Sequence, residues 1–138
     1  MRILAVDLGL VRTGLAVSDP TGFLASPVAT VTERHMERLL EKVAQAVLEQ
    51  GAEEIIVGHP RNMDGSRGES ARRAEEFARA LEEHTGKPVK LWDERMTTVS
   101  AIGYLNETDT RGKKRKAVVD TVAATIILQD YLDSLRHQ

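Results

Sequence analysis

The stretch Arg2-Ile3-Leu4-Ala5-Val6-Asp7-Leu8-Gly9-Leu10-Val11-Arg12-Thr13-Gly14-Leu15-Ala16-Val17-Ser18 decides the architecture. Residues 2–7 and 13–18 both read as strands. Successive residues of a strand point to opposite faces, yet in residues 3–6 both sets are apolar. That is expected of a strand covered on both sides. Gly9 and Gly14 bracket the link between the two runs, which fits a hairpin. One residue breaks the apolar pattern at the end of the first strand, and it is Asp7. A carboxylate in such a place is costly without a partner.

The reading continues outward from this hairpin. Asp19-Pro20-Thr21-Gly22 has the chemistry of a turn. Residues 23–31 form a third strand, which Pro27 marks as an edge or bulged one. Thr32 is placed to cap a helix over residues 33–50, with Gly51 as its stop. Met36, Leu39, Leu40, Val43, Ala46 and Val47 supply its apolar stripe. A short buried strand over 54–58 leads to a polar loop over 59–68. A second helix runs to about His84, ended by Gly86 and Pro88. Residues 89–92 form another strand. Thr97 or Thr98 caps a helix to about Leu105, and residues 116–135 make the last one. The order is β-β-β-α-β-α-β-α-α. It implies an α/β fold, a mixed five-stranded sheet flanked by helices. No linker, repeat or low-complexity segment divides the chain, so residues 1–138 are expected to form one domain.

Composition narrows the classes. There is no cysteine among the 138 residues, which excludes disulfides and thiolate metal sites. The first residues offer too short an apolar run for a secretory signal. No segment approaches the roughly 20 apolar residues of a membrane helix. A soluble, cytoplasmic protein with no membrane partner is expected. Lys and Arg number 19 against 21 Asp and Glu, a net charge of −2. The distribution says more than the sum, because five of the six residues 111–116 are basic.

Two further carboxylates share the character of Asp7. Glu94 lies in Leu91-Trp92-Asp93-Glu94-Arg95-Met96-Thr97-Thr98 at a strand end. Asp93 and Glu94 point to opposite faces if the strand persists, and Glu94 is the one favoured for the site. Asp120 lies beside the apolar side of the last helix, defined by Val119, Val122, Ala123, Ile126 and Ile127. Its partner there is either Lys116, one turn earlier, or a metal ion. Three carboxylates gathered by folding repel one another, and a divalent cation turns that repulsion into a binding site. Hard carboxylate oxygens suit Mg²⁺ or Mn²⁺. The expectation is a metal-dependent phosphodiester hydrolase.

Cationic and polar side chains lie where such a site needs them. Arg12 returns on the second strand of the hairpin. Arg61, Asn62 and Ser66 occupy the loop after the fourth strand, and Arg95 follows Glu94. Lys113, Lys114, Arg115 and Lys116 precede the Asp120 helix. These are the candidates for phosphate and sugar contacts. His59 is placed to assist a proton transfer, or is a loop histidine with no duty. With one Trp, two Tyr and two Phe, base stacking on an aromatic platform is not expected to dominate.

Val6-Asp7-Leu8-Gly9-Leu10-Val11-Arg12-Thr13-Gly14, Gly58-His59-Pro60-Arg61-Asn62-Met63-Asp64-Gly65-Ser66, Asp93-Glu94-Arg95-Met96-Thr97-Thr98 and the run from Lys116 to Leu128 occur in this order. Together they resemble the YqgF/RuvX family over nearly the whole chain. The resemblance implies an RNase H-like fold, similar to Holliday-junction resolvases, and a nuclease that processes the 5′ end of pre-16S rRNA in ribosome biogenesis. It implies that Asp7, Glu94 and Asp120 bind two divalent cations, and that the partners are rRNA precursor and ribosomal particles. His59 is a departure, since the family usually carries leucine before the proline. Two readings stand beside this one: a Holliday-junction resolvase of DNA recombination and repair, and a non-catalytic RNA-binding module of ribosome assembly. A sugar-kinase type of phosphotransferase shares the strand-Asp-x-Gly hairpin, but needs a second large domain for which this chain has no room. The residues alone do not separate RNA from DNA, or a monomer from a homodimer.

Overall fold

A computed structural model describes residues 1–60, 64, 66–94 and 112–136, with backbone alone for 112–120. The elements are β1 (Ile3–Asp7), β2 (Arg12–Ser18), β3 (Ala25–Thr32), α1 (Met36–Gln50), β4 (Glu54–His59), α2 (Glu69–Thr85), β5 (Val89–Asp93) and α3 (Gly112–Arg136). The helix expected from Thr97 or Thr98 to Leu105 lies outside the described residues, as do Arg61, Asn62 and Arg95. The strands lie in the order β3-β2-β1-β4-β5. β2 is antiparallel to β1 and β3, and β4 is parallel to β1 and β5. This is the expected mixed five-stranded sheet with helices on both faces.

The apolar character of both faces of β1 is explained by two cores. Leu4 and Val6 join Leu15, Ile55 and Val57 against α1 and α2. Ile3 and Ala5 join Ala16 and Ile56 against α3. Each buried Leu, Ile or Val stabilises by roughly 1.5–3 kcal/mol relative to exposure, so a strand with two apolar faces is held from both sides. Pro27 lies on the edge strand β3, opposite a register shift between Leu15 and Ala16. A residue without an N–H is tolerated there. Gly51 and Gly86 end α1 and α2 with positive φ, 64° and 71°, as their positions in the sequence implied.

Three local expectations are corrected. The first helix begins at Met36, with His35 and not Thr32 at its N-cap. Thr32 is still in β3, paired with Arg12, and the Glu33 N–H donates to the Val11 carbonyl at 2.8 Å. Strand pairing therefore wins over the cap, and the Glu33 carboxylate reaches forward to the His35 N–H at 3.1 Å. Secondly, the last helix begins at Gly112 and not at Lys116, so Lys113, Lys114 and Arg115 belong to its opening turn and not to a preceding loop. Lysine and arginine are good helix formers, and nothing between them and Asp120 breaks a helix. Thirdly, the buried side of α3 is Ala124, Ile127, Leu128, Tyr131 and Leu132. Val122, Ala123 and Ile126 are only half-buried.

Polar contacts fix α3 along the sheet. The Ala25 N–H donates to Gln129 Oε1 at 2.9 Å. The Thr30 and Thr121 hydroxyls share a hydrogen bond of 2.8 Å. The Tyr131 hydroxyl donates to the buried Glu54 carboxylate at 2.8 Å, which Lys90 Nζ also approaches at 3.1 Å. Trp92 packs edge-on to the Tyr131 ring, centroids 5.5 Å apart.

Candidate active site

β1, β4 and β5 run parallel, so their C-terminal ends share one edge of the sheet. Each end carries polar chemistry. β1 ends at Asp7, β4 at His59, and β5 at Asp93 with Glu94 next. In β1, Ile3 and Ala5 face α3, and the two-residue period places Asp7 on that same face. Trp92 also faces α3, so Glu94, two residues on, returns to that side. His59 belongs to the opposite side, where α2 lies.

Glu94 and Asp7 meet across β4. Their side chains are hydrogen-bonded to each other, and both are half-buried. The contact is possible because the intervening residue of β4 is Gly58. A Cβ at Gly58 would lie 3.1 Å from Glu94 Cδ and 3.2 Å from Glu94 Oε1. It would also lie 3.1 Å from Ile127 Cδ1, on α3. Burial raises the Glu94 carboxyl above its ordinary value of 4.5, against the hydrogen bond from Asp7 and the proximity of His59, and Asp93 adds to the rise. Two carboxyl groups in contact both ionise readily only beside positive charge.

Asp120 belongs to the same end of the molecule by its place on α3. Thr121, the next residue, bonds Thr30, and Thr30 pairs with Gly14, which pairs with Asp7. The backbone of α3 thus passes residue 120 near the sheet level of Asp7. Position 120 falls in line with the buried Ala124, Ile127 and Tyr131 at helical spacing. The Asp120 side chain, with those of Lys113, Lys114, Arg115 and Lys116, lies outside the described residues.

The remaining candidates divide. Arg12 opens β2 at the far side of the hairpin, half-buried. Ser66 is exposed before α2 and is bonded through its N–H and its hydroxyl to Asp64 Oδ1, at 2.9 and 2.6 Å. His59 is not a loop residue. It closes β4, and its Nε2 lies 2.6 Å from Glu75 Oε2 of α2. Arg67 Nε stands 3.4 Å from the same oxygen. Sequence reasoning passed over Gly58 and Glu75. A glycine inside a buried strand signals close approach of another group, and that signal was available for Gly58. The His59–Glu75 contact spans two elements and has no local signature.

Asp7 and Glu94 bring two half-buried oxygen-donor side chains into contact, the kind of donor a hard divalent cation takes; among the described residues no group of three or more such side chains is gathered.

The chain matches the family described as RuvX, Holliday junction resolvase, over residues 1–134. It belongs to that family. Relatives named "Putative pre-16S rRNA nuclease" align with it almost end to end. The one from Lachnospira eligens is 45% identical over 137 residues, 97% of this chain and 98% of the relative. The one from Moorella thermoacetica is 44% identical over 135 residues, 98% and 96% of the two chains. Among solved structures, Thermus thermophilus RuvC in complex with a Holliday junction substrate superimposes with a TM-score of 0.61 at 13% identity, covering 97% and 96% of the chains. The fowlpox virus Holliday junction resolvase gives 0.55 at 14% identity, covering 97% and 99%. The RuvX chain therefore has the RNase H-like fold of the resolvases. No described helix is long and apolar enough to cross a membrane.

Proposed function

We propose that this RuvX-family chain is a divalent-metal-dependent nuclease acting on the 5′ end of pre-16S rRNA in the cytoplasm. The observation that carries the reading is the contact between Asp7 and Glu94 over Gly58. A half-buried carboxyl pair has little structural use, since burial and like charge both disfavour its ionised form. As a binding site it has a clear use. Asp7 and Glu94, with Asp120 from α3, hold Mg²⁺ or Mn²⁺, two ions in all. Bound there, such ions supply an activated water and neutralise charge developing on the phosphoryl group.

The chain's own residues do the rest. Asp7 and Glu94 are held at strand ends, so their oxygens need little reorganisation when charge arrives. Arg12, Arg61, Asn62, Ser66, Arg95, Lys113, Lys114, Arg115 and Lys116 contact phosphates and sugars of the substrate. The basic opening of α3 precedes Asp120 by about one to two turns, and cations there would meet the phosphates of a strand entering the site.

The rRNA substrate rests on the names of the relatives. A second reading, cleavage of four-way DNA junctions, is favoured by the family's description. The deciding experiment compares wild type with Asp120→Asn on 5′-extended 16S precursor, unstructured RNA and a four-way DNA junction. Each is tested with Mg²⁺, Mn²⁺ or EDTA. Metal-dependent cutting of the precursor, lost in the variant, is expected. Paired cuts confined to the junction support the resolvase instead. Binding without cutting on every substrate rejects the nuclease.

A further inference from the structure

Gly9 follows Asp7 by two residues, and both of its backbone polar groups are held. Its N–H donates to Thr13 Oγ1 at 3.2 Å, and Thr13 is fully buried. Its carbonyl accepts from Arg73 Nη1 at 2.9 Å. The turn is tight enough that a Cβ at Gly9 would fall 1.9 Å from the Arg12 carbonyl oxygen. The Thr13 bond is internal to the hairpin. The Arg73 bond is different, because it ties the hairpin to α2.

α2 holds a second strand end nearby. Arg73 and Glu75 flank the buried Ala74, and Glu75 takes His59 at the end of β4. β1 and β4 are neighbours in the sheet. One turn of α2 therefore grips the two strand ends that carry Asp7 and Gly58. Arg72 is exposed, whereas Arg73 is half-buried and directed at a backbone carbonyl.

We propose that Arg73 is a positioning residue of the active site, setting the Asp7 carboxylate through the Gly9 carbonyl. The inference rests on the reading of Asp7 as a metal ligand. Outer partners of ligands typically change metal affinity or activity by about 10–100-fold when removed. The bland alternative is that Arg73 contacts substrate phosphate.

The test measures Mn²⁺ binding by calorimetry on the full chain, and steady-state cleavage with Mn²⁺, for wild type, Arg73→Ala, Arg73→Lys and Arg72→Ala. Arg73→Ala is expected to lose about 10–100-fold in Mn²⁺ affinity or in kcat, with KM within about two-fold. Arg73→Lys, which can still donate to a carbonyl, recovers part of the loss and serves alone if the alanine variant does not fold. Arg72→Ala keeps wild-type Mn²⁺ affinity. Wild-type affinity and kcat in both Arg73 variants overturn the inference. A raised KM with a flatter salt dependence and unchanged Mn²⁺ affinity overturns it in favour of phosphate contact. Should wild type bind no Mn²⁺, the metal-ligand reading of Asp7 fails first and this inference with it. Mn²⁺ binding by wild type without cleavage leaves the binding arm to decide.

Discussion

The Glu94 carboxyl lies against Gly58, so close that even a methyl group there would be a tight fit. A methyl group at Gly58 would meet Glu94 Cδ and Ile127 Cδ1, both at 3.1 Å. Gly58→Ala must therefore displace the carboxyl, or the helix that covers it, by some tenths of an ångström. Overpacking of this kind costs about 1–3 kcal/mol. Misplacing a reacting group can cost as much as about 10²-fold in rate. The expected result is a folded variant with cleavage reduced at least about tenfold. Measuring kcat and urea stability on the same samples checks this, and wild-type activity would show that the close packing has no functional weight.

Glu94→Gln separates binding from folding. Burial raises the folded-state Glu94 carboxyl above its unfolded value. A raised acid favours the folded state fully below the unfolded value near 4.5, and that contribution is lost as pH rises through the folded value. Metal-free wild type should thus lose stability relative to Glu94→Gln between pH 4.5 and neutrality. Mn²⁺ should restore it, by about 2.7 kcal/mol at a hundred times Kd. The variant should be less sensitive to both pH and Mn²⁺. Thermal melts with and without Mn²⁺ at several pH values decide it, and equal Mn²⁺ shifts in both proteins would exclude Glu94 as a ligand.

Much of the site could be read before any coordinates. Asp7 stood out because it is the one acid in a strand with two apolar faces, and Glu94 because it directly follows the end of another strand. The alternation of Asp93 and Glu94 put Glu94 on the face of Asp7, where the two side chains meet. What could not be read depends on contacts between distant elements. Thr32 has good capping chemistry, but the pairing of β3 with β2 claims it. The region around Ala117–Leu128 is apolar nearly all round, so its periodicity selects a face only loosely; the pattern puts Ile127 on the apolar side, whereas the burial of Ala124 follows from packing on the sheet. His59 reads as a loop histidine until Glu75, sixteen residues on, is brought to it.

At the opposite end of the sheet, Tyr131→Phe tests what holds α3 in register. Glu54 is 4% exposed, and its carboxylate accepts from the Tyr131 hydroxyl and lies 3.1 Å from Lys90 Nζ. Removing the hydroxyl leaves a buried acceptor short of a donor, which costs about 1–3 kcal/mol. Urea unfolding should show that loss. Cleavage at a temperature where both proteins are folded should be unchanged, because the site lies at the other end of α3. A drop in kcat at equal folded fraction would mean that the helix transmits strain to residue 120.

Asp19 governs the turn from β2 to β3. Its carboxylate accepts the Phe23 and Leu24 N–H groups at 2.8 and 3.0 Å, and the Thr21 hydroxyl. The Thr21 hydroxyl and then the Leu24 N–H hold its carboxyl well below the ordinary 3.8. A depressed acid contributes stability above its unfolded value and loses it as pH falls through the folded value. Asp19→Ala should melt on the order of 3 °C lower at pH 7, a modest amount because the group is exposed to solvent. The gap should narrow once pH falls below roughly 4, where the unfolded carboxylate begins to bind protons. A gap that stayed constant down to pH 2 would assign the loss to the shape of the turn and not to the charge of Asp19.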